Sequence, residues 1–305
     1  MMSAPTDPLA GLNSVNWSQL THAYGPADDV PLLLRELQST DPKLYLAALD
    51  ECWSSIYHQG TRYSASAQAV PFLYSLLDHQ ATKNRHNLLH LIIALAIGHP
   101  DWCIPNGLHV AEWEKRITDM EEEEDHKFAL DEFKSYEAVE RGLSSVVHCL
   151  REESPVMRAT AAHALAFFPR CLEMSVPALL SLLSRESCKA VRGTAVLALA
   201  VLFAPLEDNL KKSNITQQIQ DYHDACCGME VEDIYSWSCA LALLILGVAQ
   251  KELVEKVERV LTDEEYLSEL NASIVPDDSF PFDMLGLRHL AEKVLEKTEG
   301  ISTAI

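Results

Sequence analysis

Apolar residues recur at i, i+3, i+4 and i+7 through residues 28–38, 43–57, 83–97 and 156–168. This spacing lines one face of a helix with core-facing side chains. No alternating β-branched run of strand length accompanies it, so the pattern predicts an all-α chain nearly without β-strand. Val30-Pro31, Val70-Pro71 and Val176-Pro177 each open an apolar run. Proline is tolerated in a first helical turn, where its missing N–H has no intrahelical partner to lose, and these three sites predict three helix starts.

The pattern also repeats. Arg158-Ala-Thr-Ala-Ala-His-Ala-Leu-Ala166 returns thirty-four residues later as Arg192-Gly-Thr-Ala-Val-Leu-Ala-Leu-Ala200. Ala-Leu-Ala recurs at Ala94–Ala96, Ala164–Ala166, Ala198–Ala200 and Ala240–Ala242. A period of about 20–50 residues marks stacked supersecondary units that cannot bury their apolar faces alone. Small residues at fixed places let neighbouring helices approach closely while Leu, Ile and Val fill the space between. The expectation is an α-solenoid of about six or seven antiparallel helix pairs in an armadillo-type superhelix. Arg158 and Arg192 are expected to hold equivalent places and to ladder with acids such as Glu153 or Glu186.

Ser154-Pro155-Val156-Met157-Arg158 and Ala190-Val191-Arg192 resemble the turn that opens the second helix of HEAT repeats. The resemblance is good over about residues 136–204, looser over 28–98, and decays beyond 205, where Leu88 and Ile234 hold the Arg slot of the other second helices. His22-Ala-Tyr-Gly25-Pro-Ala-Asp-Asp-Val-Pro31 and His58-Gln-Gly-Thr61-Arg-Tyr63 resemble the amino-terminal segment of microbial HEAT-like proteins of uncharacterised function. That resemblance implies a HEAT-like solenoid and brings no activity with it. In one HEAT-like enzyme family, the di-iron deoxyhypusine hydroxylases, metal is held by repeated His-Glu dipeptides. This sequence has none, and only His223-Asp224 comes near.

A solenoid grows in one dimension, so the 305 residues are read as one elongated domain, 1–305. The surplus at 99–134 reads as an insertion, with Trp102 and Trp113 packing in a compact loop, and the repeats from about 205 read as divergent. Pro205 to Glu232 reads as a polar excursion that breaks the repeat. Asp119-Met-Glu-Glu-Glu-Glu-Asp125 reads as a solvated charge block. The amino terminus carries neither a basic nor an apolar signal segment, and the longest apolar stretch, Leu241–Ala249, is far short of the roughly 20 residues that span a bilayer. A cytoplasmic protein with no membrane partner is expected.

Net charge changes the partner list. At −21, with 24 Lys+Arg against 45 Asp+Glu, the chain lacks the basic footprint that replaces counterions on nucleic acid. A basic protein partner fits better. The eight cysteines read as reduced core residues in no C-x-x-C pair, and the vicinal Cys226-Cys227 as a structural pair.

Candidate chemistry lies in the amino-terminal half. His58-Gln59-Gly60-Thr61-Arg62-Tyr63 is read as a turn between helices, with Gly60 ending one helix, His58 at its negative end, and Thr61 or Ser64 capping the next. His58, Gln59, Arg62 and Tyr63 converge there, with His22 and Tyr24 as a similar group. His86 and His90 share a helix face at metal-ligand spacing, but no third ligand follows, so neither metal nor cofactor is expected. Two function classes result. One is a non-catalytic protein-interaction scaffold using the concave solenoid face. The other is a cofactor-independent enzyme or small-molecule binder of lyase, isomerase or cyclase type, work that HEAT-like chromophore lyases show the architecture can host. His58, Tyr63 and His90 would act in it, with Gln59, Arg62, His86, Trp102, Trp113, His22 and Tyr24 lining its groove.

Overall fold

The computed structural model describes residues 7–121, 124–226 and 232–302. Among them lie fifteen α-helices and two minimal β-hairpins. The chain divides into two compact units, residues 1–100 with 110–145, and residues 101–109 with 146–305.

The first unit opens with β1 (Thr21–His22) and β2 (Gly25–Pro26), then α1 (Val30–Glu36) and α2 (Pro42–Ser54). The hairpin β3 (Tyr57–His58) and β4 (Thr61–Arg62) leads into α3 (Ser64–Asp78) and α4 (Arg85–Ile97). α5 (Val110–Asp119) and α6 (Glu124–Arg141) complete it, and the division falls within α7 (Leu143–Cys149). α3, α4 and α6 pack mutually and form the core, with α1 against α2 and α3. Asp41 caps α2 by accepting from the Lys43 N–H at 2.9 Å, with Pro42 in the first turn.

The second unit holds α8 (Pro155–Leu165), α9 (Leu172–Arg185), α10 (Lys189–Phe203), α11 (Asn209–Cys226), α12 (Ile234–Ile245), α13 (Lys251–Thr262), α14 (Glu264–Ala272) and α15 (Leu287–Ser302). α10 is its centre, packed by α8 and α12 in a row and by α9 and α11 beside them. The Ala-rich repeat explains the row. A Cβ on Gly193 of α10 would stand 2.7 Å from Ser238 Oγ of α12, so the helices touch through the smallest side chain. α12 is buried along its whole length, whereas α13 buries only Leu253, Val257 and Val260.

Several expectations change. Pro71 and Pro177 lie inside α3 and α9, which begin at Ser64 and Leu172, and only Pro31 sits in a first turn. Each interior proline forfeits one backbone bond, a loss the buried faces of α3 and α9 outweigh. The insertion 99–134 holds α5 and half of α6 rather than a compact loop, and the excursion after Pro205 is the 18-residue helix α11, held by buried Ile215 and Ile219. Arg158 does ladder with Glu186, at 2.6 and 3.0 Å. Arg192 does not: it lies over the ring of Tyr235, a partner no periodicity signals. No single described helix is long and apolar enough to cross a membrane. The pair Pro155–Leu165 and Pro169–Arg185 passes by composition only jointly, and it is bent by 100°.

Candidate functional site

The segment expected to be a helix-to-helix turn is a β-hairpin. α2 stops at Ser54, and Tyr57 pairs with Arg62 and His58 with Thr61 across a two-residue turn. Gln59 (φ 49°) and Gly60 (φ 93°) are both left-handed, as the tightest hairpin connection matching strand twist requires. Gly60 therefore turns strands and does not end a helix, His58 is a strand residue, and Thr61 caps nothing. Ser64 Oγ accepts from the Thr21 N–H at 2.8 Å, and the α3 entry is held by Ser66 Oγ, which accepts from the Tyr63 N–H at 2.7 Å.

The first hairpin pairs Thr21 with Pro26 and His22 with Gly25. Its Ala23 N–H donates to Ser55 O at 3.1 Å, so this hairpin and the second are tied at both flanks. His22 is buried. Its Nδ1 accepts from the Tyr24 N–H at 3.0 Å, which puts the proton on Nε2, 2.9 Å from Asp29 Oδ1. Both ring nitrogens are engaged.

Arg62 is 5% exposed and donates from Nη1 to Glu132 Oε1 of α6 at 3.0 Å and to the Gly60 carbonyl. Gly98, at the end of α4, backs this guanidinium: a Cβ there would lie 2.7 Å from Nη1 and 3.0 Å from Gly60 O. Burial raises the Glu132 carboxyl above its ordinary range, against the opposing pull of Arg62. The ion pair thus clamps the second hairpin to α6.

Above these clamps runs a row of rings. Tyr24, 64% exposed, meets His22 edge-on at 6.1 Å and His58 at 5.6 Å. Tyr63 meets Phe128 of α6 at 6.4 Å. Burial, then the neighbouring Tyr24 and Glu132, push the Tyr63 hydroxyl above its ordinary value and keep it protonated. Tyr57 of the second hairpin packs edge-on to Trp53 of α2 at 5.1 Å. The row therefore joins both hairpins to α6, with Gln59 exposed at the turn.

The remaining expected residues separate. His86 and His90 are half-buried on α4. Trp113 is 8% exposed and packs against Phe133 and Tyr136 at 5.2 and 5.5 Å, a core position rather than a groove wall. Trp102 is 51% exposed and belongs to the second unit. No group of three or more His, Cys, Asp or Glu among the described residues is placed to hold a metal ion. Of the acidic run, Asp119 and Glu121 are exposed, and residues 122–123 lie outside the described residues, as does Cys227. Sequence reasoning missed Asp29, Phe128 and Glu132. Asp29 had a local signal, seven residues from His22 in the same segment. The other two come from α6, seventy residues beyond the hairpin.

Comparison with protein-family models, with curated proteins and with solved structures returns no match.

Proposed function

We propose that this chain is a non-catalytic protein-interaction scaffold built on HEAT-like helical repeats, and that its first unit contacts a basic protein partner through the ring row Tyr24, His58, Tyr63 and Phe128. The 34-residue repeat and the consecutive packing of α8, α10 and α12 support reading the second unit as a solenoid stack that includes the pairs α9/α10 and α11/α12.

The observation that carries the binding reading is the row itself: aromatic side chains standing out from a rigid hairpin frame, with the carboxylate of Asp29 on His22 and that of Glu132 beside Tyr63. Pre-ordered tyrosines supply large contact area at small entropic cost, and aromatic anchors dominate measured interface energetics. The competing reading, a cofactor-independent enzyme or small-molecule binder of lyase, isomerase or cyclase type, needs a free acid or base. His22 has both nitrogens occupied, Arg62 is committed to Glu132, and the Tyr63 hydroxyl is held protonated, which makes it a poor base.

The test is photo-crosslinking from position 24 in native extract, followed by titration of the identified partner against purified wild type, Tyr24→Ala, Phe128→Ala and the control Leu210→Ala. The reading expects at least about tenfold weaker binding for the two row variants with unchanged melting. Equal affinity across all four proteins would remove the row as the contact surface.

A further inference from the structure

One segment of the second unit crosses all three helices of its central row. Ser273 Oγ accepts from the Ile234 N–H that opens α12, at 2.9 Å. The thiol of Cys188, the residue before α10, donates to Val275 O at 3.2 Å. Further along α10, Thr194 Oγ1 donates to Ser279 O at 3.4 Å, and the Phe280 ring lies 3.2 Å from where a Cβ on Gly193 would stand. Phe282 completes the crossing on α8, its ring edge-on to His163 with centroids 4.6 Å apart. Phe280 and Phe282 are buried, whereas Val275, Met284 and Leu285 at the two ends of the segment are exposed.

Rings rather than backbone make this seat. The N–H groups of Ser279, Asp283 and Gly286 donate within the segment, to the carbonyls of Pro276, Phe280 and Asp283, so the segment keeps these turns if it lifts. Its polar groups fit less well. Ser279 Oγ is buried with no hydrogen-bond partner among the described residues. Asp283 is half-buried with no cation paired to it, and burial, then Asp278, raise its carboxyl to about 6. An unsatisfied buried hydroxyl and a desolvated carboxylate both oppose the seated state. The tether favours the segment over any free competitor. In side-chain chemistry, however, a chain with the same two rings and no buried carboxylate would fit this face better than the segment does.

We propose that the face of α8 and α10 beneath residues 275–286 is a peptide-binding surface held shut by this segment, and that it takes from a protein partner a stretch with two aromatic residues separated by proline and no carboxylate at the place of Asp283.

This surface belongs to the second unit and does not depend on the ring row of the first. While the segment is seated, the apparent affinity for such a partner is the intrinsic one reduced in proportion to the fraction of chains that are open. Loosening the segment therefore tightens binding in trans. A purely structural contact would show no such gain.

The probe is a fluorescein-labelled synthetic peptide with the sequence of residues 275–286 bearing Asp283→Asn, titrated against the full-length wild type and against Phe280→Ala/Phe282→Ala. The double variant should bind it at least about tenfold more tightly than the wild type does, because its own segment no longer fills the seat. A peptide with alanine in place of both phenylalanines should bind neither protein. Equal affinity of the two proteins for the aromatic peptide, or equally tight binding of the alanine peptide, would overturn the proposal. Sedimentation of the wild type as a dimer that the peptide dissociates would assign the face to the segment of a second copy and overturn the partner as well. Should the double variant fail to fold, the wild type decides it. With the chain isotope-labelled and the peptide not, excess peptide should speed hydrogen exchange at Ser279 and Asp283 while the amides of α10 stay protected. Unchanged exchange at both positions would count against the proposal as heavily as equal affinity.

Discussion

At the scale of single residues, the groups that look most reactive in the sequence are largely those that hold the frame. Arg62 reads as a substrate contact beside His58 and Tyr63, yet it is buried against Glu132. Removing one member of a buried ion pair strands the other, so Arg62→Ala should lower stability by about 3 kcal/mol in denaturant titration, well beyond a surface substitution. Asp283, beside α15, behaves in the opposite sense. Burial, with help from Asp278, raises its carboxyl from 3.8 to about 6. Its favourable contribution is therefore complete below about pH 3.8 and lost as the pH rises through about 6, and the ionised form opposes folding near neutrality. Asp283→Asn should raise the melting temperature at pH 7 by about 2–4 °C and flatten the pH dependence between these values, as differential scanning fluorimetry would read. Residue types and their clustering at 58–63 were legible in the sequence. Their engagement was not, because Glu132 and Phe128 arrive from a distant helix.

Elements follow the sequence where burial is one-sided and depart from it where turn chemistry competes. The periodic stretches 28–38, 43–57, 83–97 and 156–168 all contain helices, at Val30–Glu36, Pro42–Ser54, Arg85–Ile97 and Pro155–Leu165. The hairpins escaped because each strand is two residues long, too short for alternation to register. Repeat equivalence is also partial. Thr160 and Thr194 both donate to the carbonyl four residues back, whereas Arg158 takes Glu186 and Arg192 takes Tyr235. Between those matched residues stands Gly193 where the first copy has Ala159. Alanine there would gain about 1 kcal/mol of helix propensity but meet Ser238 Oγ, which is fixed by its 2.6 Å bond to Ile234 O, and the Phe280 ring. Overpacking of about 1–3 kcal/mol wins, so Gly193→Ala should be destabilising by about 1 kcal/mol. Adding Ser238→Ala should recover most of the loss, and additive effects in that double-mutant cycle would show that the two helices do not touch there.

For the whole molecule, charge and all-helical character were readable from composition and apolar spacing, and the division into two units was not. The segment 101–109 finds its partners in α15, where Asp101 Oδ1 meets His289 Nε2 at 3.0 Å over 188 residues of sequence, and Lys297 donates to Pro105 O at 3.3 Å. No local pattern announces contacts of that range. At −21, association with a basic partner should be strongly screened, and the affinity of the partner found by crosslinking should fall at least about tenfold between about 0.05 and 0.5 M salt. An unchanged affinity would mean that charge does not select the partner. Because α15 lies so far along the chain from them, residues 101–109 leave the ribosome long before the surface they pair with exists. Residues 110–145 must meanwhile return to the unit begun by residues 1–100, leaving this stretch as an unclosed loop in the nascent chain. For these nine residues the order of synthesis and the order of assembly are different, and a chain stopped before Leu287 should keep them open to protease however complete the rest of the fold has become.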